Sequence, residues 1–283
     1  MSDELDRLRS LGWNPADHGD LVDGVWHIGA DDAVNYPREG FAAIEPGSGG
    51  SYWFDHRADE VASLLQRYQV PVLWEVGAGS GAMSLRLQQR GIETVSVEPL
   101  IEGARIIAQT SSDPVICGLL ERCGLPDASL PAVGAFDVVE HLDHPQEMLA
   151  EVRRVLAPGG LFVVTVPALG WLWSDEDDVA GHQVRYRRPT LAAEMSDAGF
   201  TELQCTYLYA SLVAPAAALR AVPYRLGRRR SGTEALDSLD KQLDPPPVVD
   251  RTLRAVLRTE TRVARRLRLP FGTSLLGVYR RPL

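Results

Sequence analysis

The chain is 283 residues long and 45% hydrophobic, enough for a full buried core in one elaborated domain or two small ones, and its composition excludes general disorder. The net charge of -9 is unevenly divided: from Tyr207 onward there are 15 Arg or Lys against 6 Asp or Glu, a balance of +9, while the remainder carries -18. That division argues against wholesale nucleic-acid binding and marks a distinct C-terminal surface.

Residues 1–50 are rich in loop formers, with Trp13, Trp26, Tyr36 and Phe41 at no regular period, and read as an arm wrapped on a domain that fills 51–283. Their acidic start, Met1 to Asp6, lacks the apolar stretch of a secretory signal, so a cytoplasmic location is expected. From Ser51 through Arg57 to Val61, Leu64 and Leu65 the spacing is that of an amphipathic helix. Val70, Val72, Leu73, Trp74 and Val76 then read as a strand covered on both faces, and Met83, Leu85 and Leu87 as part of the helix after it. Between them stands Glu75-Val76-Gly77-Ala78-Gly79-Ser80-Gly81, a strand breaking into a glycine turn. Glycine suits such a turn because a side chain would hold a ligand off the backbone and because a tight turn calls for positive φ.

The turn satisfies the dinucleotide pattern G-x-G-x-x-G/A over 77–82. A pyrophosphate there would compete with Glu75 for the positive end of the helix, whereas a cofactor bearing an ammonium group would want that acid. Val95-Ser96-Val97-Glu98 reads as a second strand ending in an acid suited to ribose hydroxyls.

On these residues the segment Glu75 to Gly81 resembles motif I of the class I S-adenosylmethionine (SAM) dependent methyltransferases. The run Arg153-Arg154-Val155-Leu156-Ala157-Pro158-Gly159-Gly160 is a further signature of that fold. The resemblance implies a seven-stranded, Rossmann-like α/β sheet with helices on both faces, SAM as cofactor, and methyl transfer to a small-molecule acceptor. It also implies the cofactor contacts. Arg57, closing a Trp-Phe-x-x-Arg segment, would face the methionine carboxylate. Glu75, Gly77, Gly79 and Gly81 form the turn, with Glu98 and Pro99 at the ribose. Leu119 and Leu120 follow Gly118 where many relatives have a polar residue near adenine, and Glu140 lies in the loop after the fourth strand.

The rest of the chain continues the pattern: a helix from Glu102 to Thr110, a third strand from Pro114 to Cys117, and a fourth strand with its loop from Ala135 to Pro145. A helix from Glu147 to Leu156 stops at Pro158-Gly159-Gly160, and Leu161 to Pro167 is a fifth strand. The loop from Trp171 to Asp175 and on through Gly181 to Tyr186 is expected over the cofactor's methyl group. It resembles a Trp-Ser-x-x-Asp…Gly-His-x-x-Arg-Tyr signature of bacterial methyltransferases associated with glycosylated or lipid-like small molecules. Lys241 is the chain's single lysine, a bias of GC-rich bacterial genomes. After a helix from Pro189 to Ala198, the sixth and seventh strands are Glu202 to Tyr207 and Leu275 to Tyr279. The intervening residues, far longer than an ordinary loop, read as a helical lid over 208–270. Its last helix, from Val249 to Leu269, would turn Leu253, Val256, Leu257, Val263 and Leu267 inward, leaving its arginines as a solvated face or as a contact for an anionic substrate or membrane surface.

If the acceptor is a hydroxyl, a group of near-neutral pKa is wanted for its proton, and His182, His141 and His144 are the candidates. No H-E-x-x-H, P-loop or G-x-S-x-G pattern occurs, and no metal is expected, since Asp175 to Asp178 reads as a solvated acidic loop. Cys117, Cys123 and Cys205 lack paired spacing and read as small buried thiols. The apolar span from Tyr207 to Leu219 is too short for a bilayer and contains Pro215. Two other functions share the pattern: a nicotinamide (NAD(P)) dependent oxidoreductase, and a catalytically silent subunit that binds a partner through the basic lid.

Overall fold

The computed structural model describes residues 6, 8–9, 13–29, 51–243, 245–264, 267 and 269–283. Its central strand, β3 (Val72–Val76), is buried throughout because successive side chains enter opposite layers. Val72, Trp74 and Val76 join one cluster with Met148, Leu149, Val152 and Val155 of helix α4 (Pro145–Val155). Leu73 joins another with Ala58, Val61 and Leu65 of α1 (Tyr52–Arg67) and Met83 and Leu87 of α2 (Ala82–Gln88). An unbroken apolar run is therefore what a sheet covered on both faces requires.

Parallel neighbours flank β3: β4 (Glu93–Glu98) on one side and β6 (Leu130–Phe136) on the other. Beyond them lie β5 (Val115–Gly118) and β7 (Leu156–Pro167). β9 (Ser274–Arg280) runs antiparallel between β7 and β8 (Thr201–Leu208). These seven strands form the predicted α/β core. The helix before β7 ends at Val155, and the strand begins earlier than predicted, at Leu156, and runs through the Pro-Gly-Gly segment. The reason is pairing with the end of the chain: the Gly159 amide donates to the Arg281 carbonyl at 3.0 Å, and the Arg281 amide to the Gly160 carbonyl at 2.9 Å.

Among the described residues the sheet has nine strands where seven were predicted. β1 (Asp20–Val22) and β2 (Val25–Gly29) form a hairpin whose two turn residues, Asp23 and Gly24, have φ of 52° and 79°. An Asp-Gly pair with both φ positive is the two-residue turn that matches strand twist, and β2 then pairs with β5. Part of the expected arm is thus integral to the sheet. Trp13 is fully buried, edge-on to Trp74 at 5.4 Å, and its indole N–H donates to the Cys123 carbonyl at 2.6 Å. Such an aromatic pair contributes about 0.5–1.5 kcal/mol beyond its buried area. Tyr36 and Phe41 lie outside the described residues.

Between β7 and β8 come α5 (Asp175–Ala180) and α6 (Arg188–Asp197). Between β8 and β9 come α7 (213–225), whose middle, Ala217–Ala221, is π-helical, then α8 (Gly232–Leu243) and α9 (Pro247–Ala264). α9 docks on α1 through Leu257, an Arg254–Asp55 ion pair at 2.6 Å and a hydrogen bond from the Thr261 hydroxyl to Glu60 at 2.7 Å. Only this narrow stripe faces inward: Val256, Val263 and Leu267, expected inside, are exposed, because one supporting helix cannot cover so broad an apolar arc.

The acidic run 175–178 is likewise not a solvated loop. Asp175, Glu176 and Asp177 are buried in α5, and basic side chains reach them. Arg230 donates to Glu176 at 2.7 Å and Arg229 to Asp178 at 3.0 Å, with Arg220 3.8 Å from Glu176. Part of the positive charge after Tyr207 is therefore answered within the chain. The three cysteines are buried free thiols, and no helix among the described residues is long and apolar enough to cross a membrane.

Candidate active site

A cavity of about 1100 Å³ opens at the carboxyl ends of β3, β4, β5 and β6 and runs under the helices between β8 and β9. Open α/β sheets bind ligands at this edge, where the strands leave the core and their loops are free to diverge. Of the cofactor residues predicted, Arg57, Glu75, Gly77, Gly79, Glu98, Pro99, Leu119, Leu120 and Glu140 line it, as do His141 and His182.

Gly81 does not line it. The three turn glycines all have positive φ but serve different ends: a Cβ on Gly77 would lie 2.7 Å from Val138 and one on Gly81 2.8 Å from Ile107, whereas one on Gly79 would meet open space. Gly81 is thus a packing glycine at the start of α2, and Gly79 is the one whose Cα faces open space on the cavity wall. The Gly79 amide donates to Glu98 at 2.7 Å and the Leu100 amide to its other oxygen at 2.9 Å, which holds the Glu98 carboxyl across the turn. Burial raises that carboxyl to about 7 despite both donors.

Glu75 lies beneath the turn, fully enclosed, accepting a hydrogen bond from the Ser84 hydroxyl. Burial, with a smaller contribution from Glu98, raises it to about 8. Arg57 comes from α1, 1% exposed, and its Nη1 donates to Asp137 at 2.5 Å. Its Nε and Nη2 make no hydrogen bond of ordinary geometry among the described residues, although the Tyr209 hydroxyl lies close to the guanidinium. Buried guanidinium N–H groups are rarely left so. Asp137 is held with φ of 57°, a conformation that costs a non-glycine residue energy and clusters at functional sites.

The other end of the polar strip is built from two loops tied together by the Gln183 amide donating to the Glu140 carbonyl at 2.7 Å. Glu140 is fully buried, with no hydrogen bond to either carboxyl oxygen from any other residue among the described residues, and burial together with Asp137 pushes its pKa well above the usual range. His141 and His182 meet edge to face, ring centres 4.8 Å apart. Burial, then the neighbouring His182, lowers His141 to about 4, so its ring is neutral near pH 7. The Nδ1 of His182 is 2.8 Å from Asp177, which also accepts from Arg185 at 2.7 Å and from the Ser174 amide at 2.9 Å. Burial alone would raise Asp177, but His182 and Arg185 hold it below the usual range. The third histidine candidate, His144, is exposed ahead of α4 and does not line the cavity.

Two contributors escaped the sequence reading. Asp137 and Asp177 both stand within quoted motifs, but their partners, Arg57 and the pair His182 and Arg185, are visible only in three dimensions.

Residues 74–164, from the central strand through β7, match the family described as "Methyltransferase domain". The chain carries a class I, SAM-dependent methyltransferase domain. A second observation comes from curated relatives: an uncharacterized methyltransferase of Mycobacterium tuberculosis is 32% identical over 108 residues, which are 38% of this chain and 41% of that one. The mitochondrial ubiquinone biosynthesis O-methyltransferase of Mus musculus is 33% identical over 102 residues, 32% of this chain and 28% of that one. The chain thus covers less than half the length of these relatives. Among solved structures, Haemonchus contortus phosphoethanolamine N-methyltransferase 2 in complex with SAM shares the fold, with a TM-score of 0.52 over 89% of this chain and 59% of that one at 11% identity.

The cofactor of such a domain is SAM, and the residues present fit it. Its amino-acid end carries a carboxylate and an ammonium, and the cavity offers the Nε and Nη2 N–H groups of Arg57 and the buried acid Glu75. A test follows from the Glu75 pKa. Without ligand it stays largely protonated below about 8, and a bound ammonium favours the anion. Binding of S-adenosylhomocysteine near pH 7 is therefore expected to release a proton, and affinity to rise with pH up to about 8. Calorimetry in buffers of different ionisation enthalpy measures that proton; its absence would separate Glu75 from the ammonium.

Proposed function

We propose that this methyltransferase moves a methyl group from SAM to a hydroxyl of an apolar small molecule, glycosylated, lipid-like or a secondary metabolite, held between the sheet edge and the helical lid 208–270. The observation that carries this reading is a single cavity in which the glycine turn opens into mostly apolar lid side chains such as Leu212, Pro215, Leu219 and Val249, with the Glu140, His141 and His182 cluster also on its wall. At about 1100 Å³ it exceeds the roughly 300–1,000 Å³ of ordinary small-molecule sites, room for cofactor and acceptor together. The mouse relative is an O-methyltransferase by name, which supports oxygen as the acceptor atom.

In this reading Arg57 and Glu75 hold the amino-acid end of the cofactor, Glu98 the ribose, and Pro99, Leu119 and Leu120 the adenine through apolar contact and backbone. The cofactor supplies a methyl group on a positively charged sulfur, and displacement forms the O–C bond while the C–S electron pair returns to sulfur. The chain aligns acceptor and methyl, excludes water with the lid, and takes the acceptor's hydroxyl against the Glu140, His141 and His182 cluster, which favours loss of its proton. Free buried cysteines and the absence of a spanning helix among the described residues support action in the cytoplasm. The mycobacterial relative supports a bacterial origin.

The test is incubation with methyl-labelled SAM and a panel of phenols, long-chain alcohols and glycosides beside matched amines. Label in ether linkage is the expected product. Label confined to amines would overturn the oxygen assignment, and a folded sample that binds no S-adenosylhomocysteine would favour the silent binding subunit.

A further inference from the structure

We propose that Glu140, His141 and His182 form a binding site for a divalent transition-metal ion on the wall of the cavity. The candidate ligand atoms, one from each residue, all lie within 4.8 Å of one another. Two ligands at about 2.1 Å from one ion at a tetrahedral angle stand roughly 3.4 Å apart, so the set must close by roughly an ångström on loading.

Unanswered acceptors mark the site. Glu140 is fully buried, and among the described residues no other residue donates a hydrogen bond to either of its carboxyl oxygens; its own amide alone lies near. A buried carboxylate without donors costs several kcal/mol, so such a group is normally paired, protonated or bound to metal. Protonation supplies a donor at one oxygen and leaves the other unanswered. His182 adds a further acceptor: its Nδ1 faces the carboxylate of Asp177, which can only accept, so Nδ1 carries hydrogen and Nε2 of the neutral ring presents a lone pair. A histidine whose far nitrogen is tied to a carboxylate is the common arrangement of a metal-bound imidazole, because the carboxylate sets the tautomer and makes the ring a better donor to the ion. Here Arg185 and the Ser174 amide anchor that carboxylate in turn, so the orientation of His182 is built in. Two imidazoles and one carboxylate suit zinc, manganese, iron or cobalt better than magnesium or calcium, which favour oxygen.

The site's role rests on the methyltransferase reading. An acceptor oxygen bound to the ion loses its proton to solvent at lower pH, and its lone pair is then available to the methyl carbon. Its existence does not rest on that reading, and the experiment keeps the two apart. Untagged, chelator-treated full-length protein is titrated with Co²⁺, followed by its visible absorption, and with Zn²⁺ by calorimetry. S-adenosylhomocysteine is titrated into the same samples. One ion per chain is expected, with Glu140→Gln and His182→Ala each weakening it at least ~100-fold and Asp177→Asn weakening it roughly 10- to 100-fold. No stoichiometric ion in the unaltered protein, or binding that both ligand variants leave unchanged, overturns the proposal. S-adenosylhomocysteine bound by a protein that takes no metal would remove the site and keep the methyltransferase. Metal bound by a protein that ignores S-adenosylhomocysteine would do the reverse.

Discussion

Replacing Arg57 by methionine is expected to weaken S-adenosylhomocysteine binding by roughly 10²–10⁴-fold. Nε and Nη2 of Arg57, on the cavity wall, make no hydrogen bond of ordinary geometry among the described residues, with only the Tyr209 hydroxyl nearby. Each charge-assisted hydrogen bond they would give a carboxylate is worth about 1.5–3 kcal/mol, and two amount to about 3–6 kcal/mol, which is that range in Kd. Methionine keeps much of the packing against Trp53, over which the guanidinium lies at 5.6 Å, but returns neither donor. The substitution also strips Asp137 of its charged partner, leaving the Thr165 hydroxyl at 3.2 Å. Because the Asp137 side chain is 36% exposed, water takes over part of that interaction, and the variant is expected to fold. The double variant Arg57→Met with Asp137→Asn removes the stranded charge as well and checks the point.

Adenosine provides the internal control, since it lacks the amino-acid end. Its affinity is expected to change little in Arg57→Met while that of S-adenosylhomocysteine collapses. Equal losses for both would show that the substitution distorts the cavity. A Kd for S-adenosylhomocysteine within threefold of the unaltered protein would separate Arg57 from the carboxylate.

His182→Ala is expected to lower kcat by roughly 10²–10⁴-fold, the range for losing a group that handles a proton in the transition state. The effect should fall on turnover, because His182 stands with Glu140 and His141 rather than at the turn that holds the amino-acid end. S-adenosylhomocysteine affinity is therefore expected to stay within a few-fold. The expectation is the same whether the ring takes the proton itself or holds the ion. Unchanged turnover on the acceptor found by screening would remove His182 from the chemistry.

How much of this was legible depends on how far apart the partners lie in the chain. The strand before Gly77, the acid at its centre and the three glycines are adjacent, so apolar run, turn and helix could be read together, and with them the nucleotide-type site. The same reading could not divide the glycines: Gly79 and Gly81 differ only in what faces them, and Ile107 of helix α3 (Ile101–Thr110) faces the second alone. The β1–β2 hairpin was within reach, since Asp23-Gly24 is a strong local turn signal, but the short flanking strands become meaningful only when β5 offers an edge. The acidic run 175–178 looked like surface because most of its arginines, Arg220, Arg229 and Arg230, stand more than 40 residues later.

By itself, then, the sequence determined the α/β class, the order of the core strands and the place of the glycine turn, since each depends on periodicity and backbone preference within a few residues. Only the tertiary structure decided which charges are answered. It buries Asp177 against His182 and Arg185, seals the acidic helix with arginines from beyond β8, and leaves Arg57 and Glu140 enclosed with polar atoms unmet. Whether a buried polar group finds a partner depends on distances between segments remote in sequence, and those unmet groups are where the chain declares what it binds.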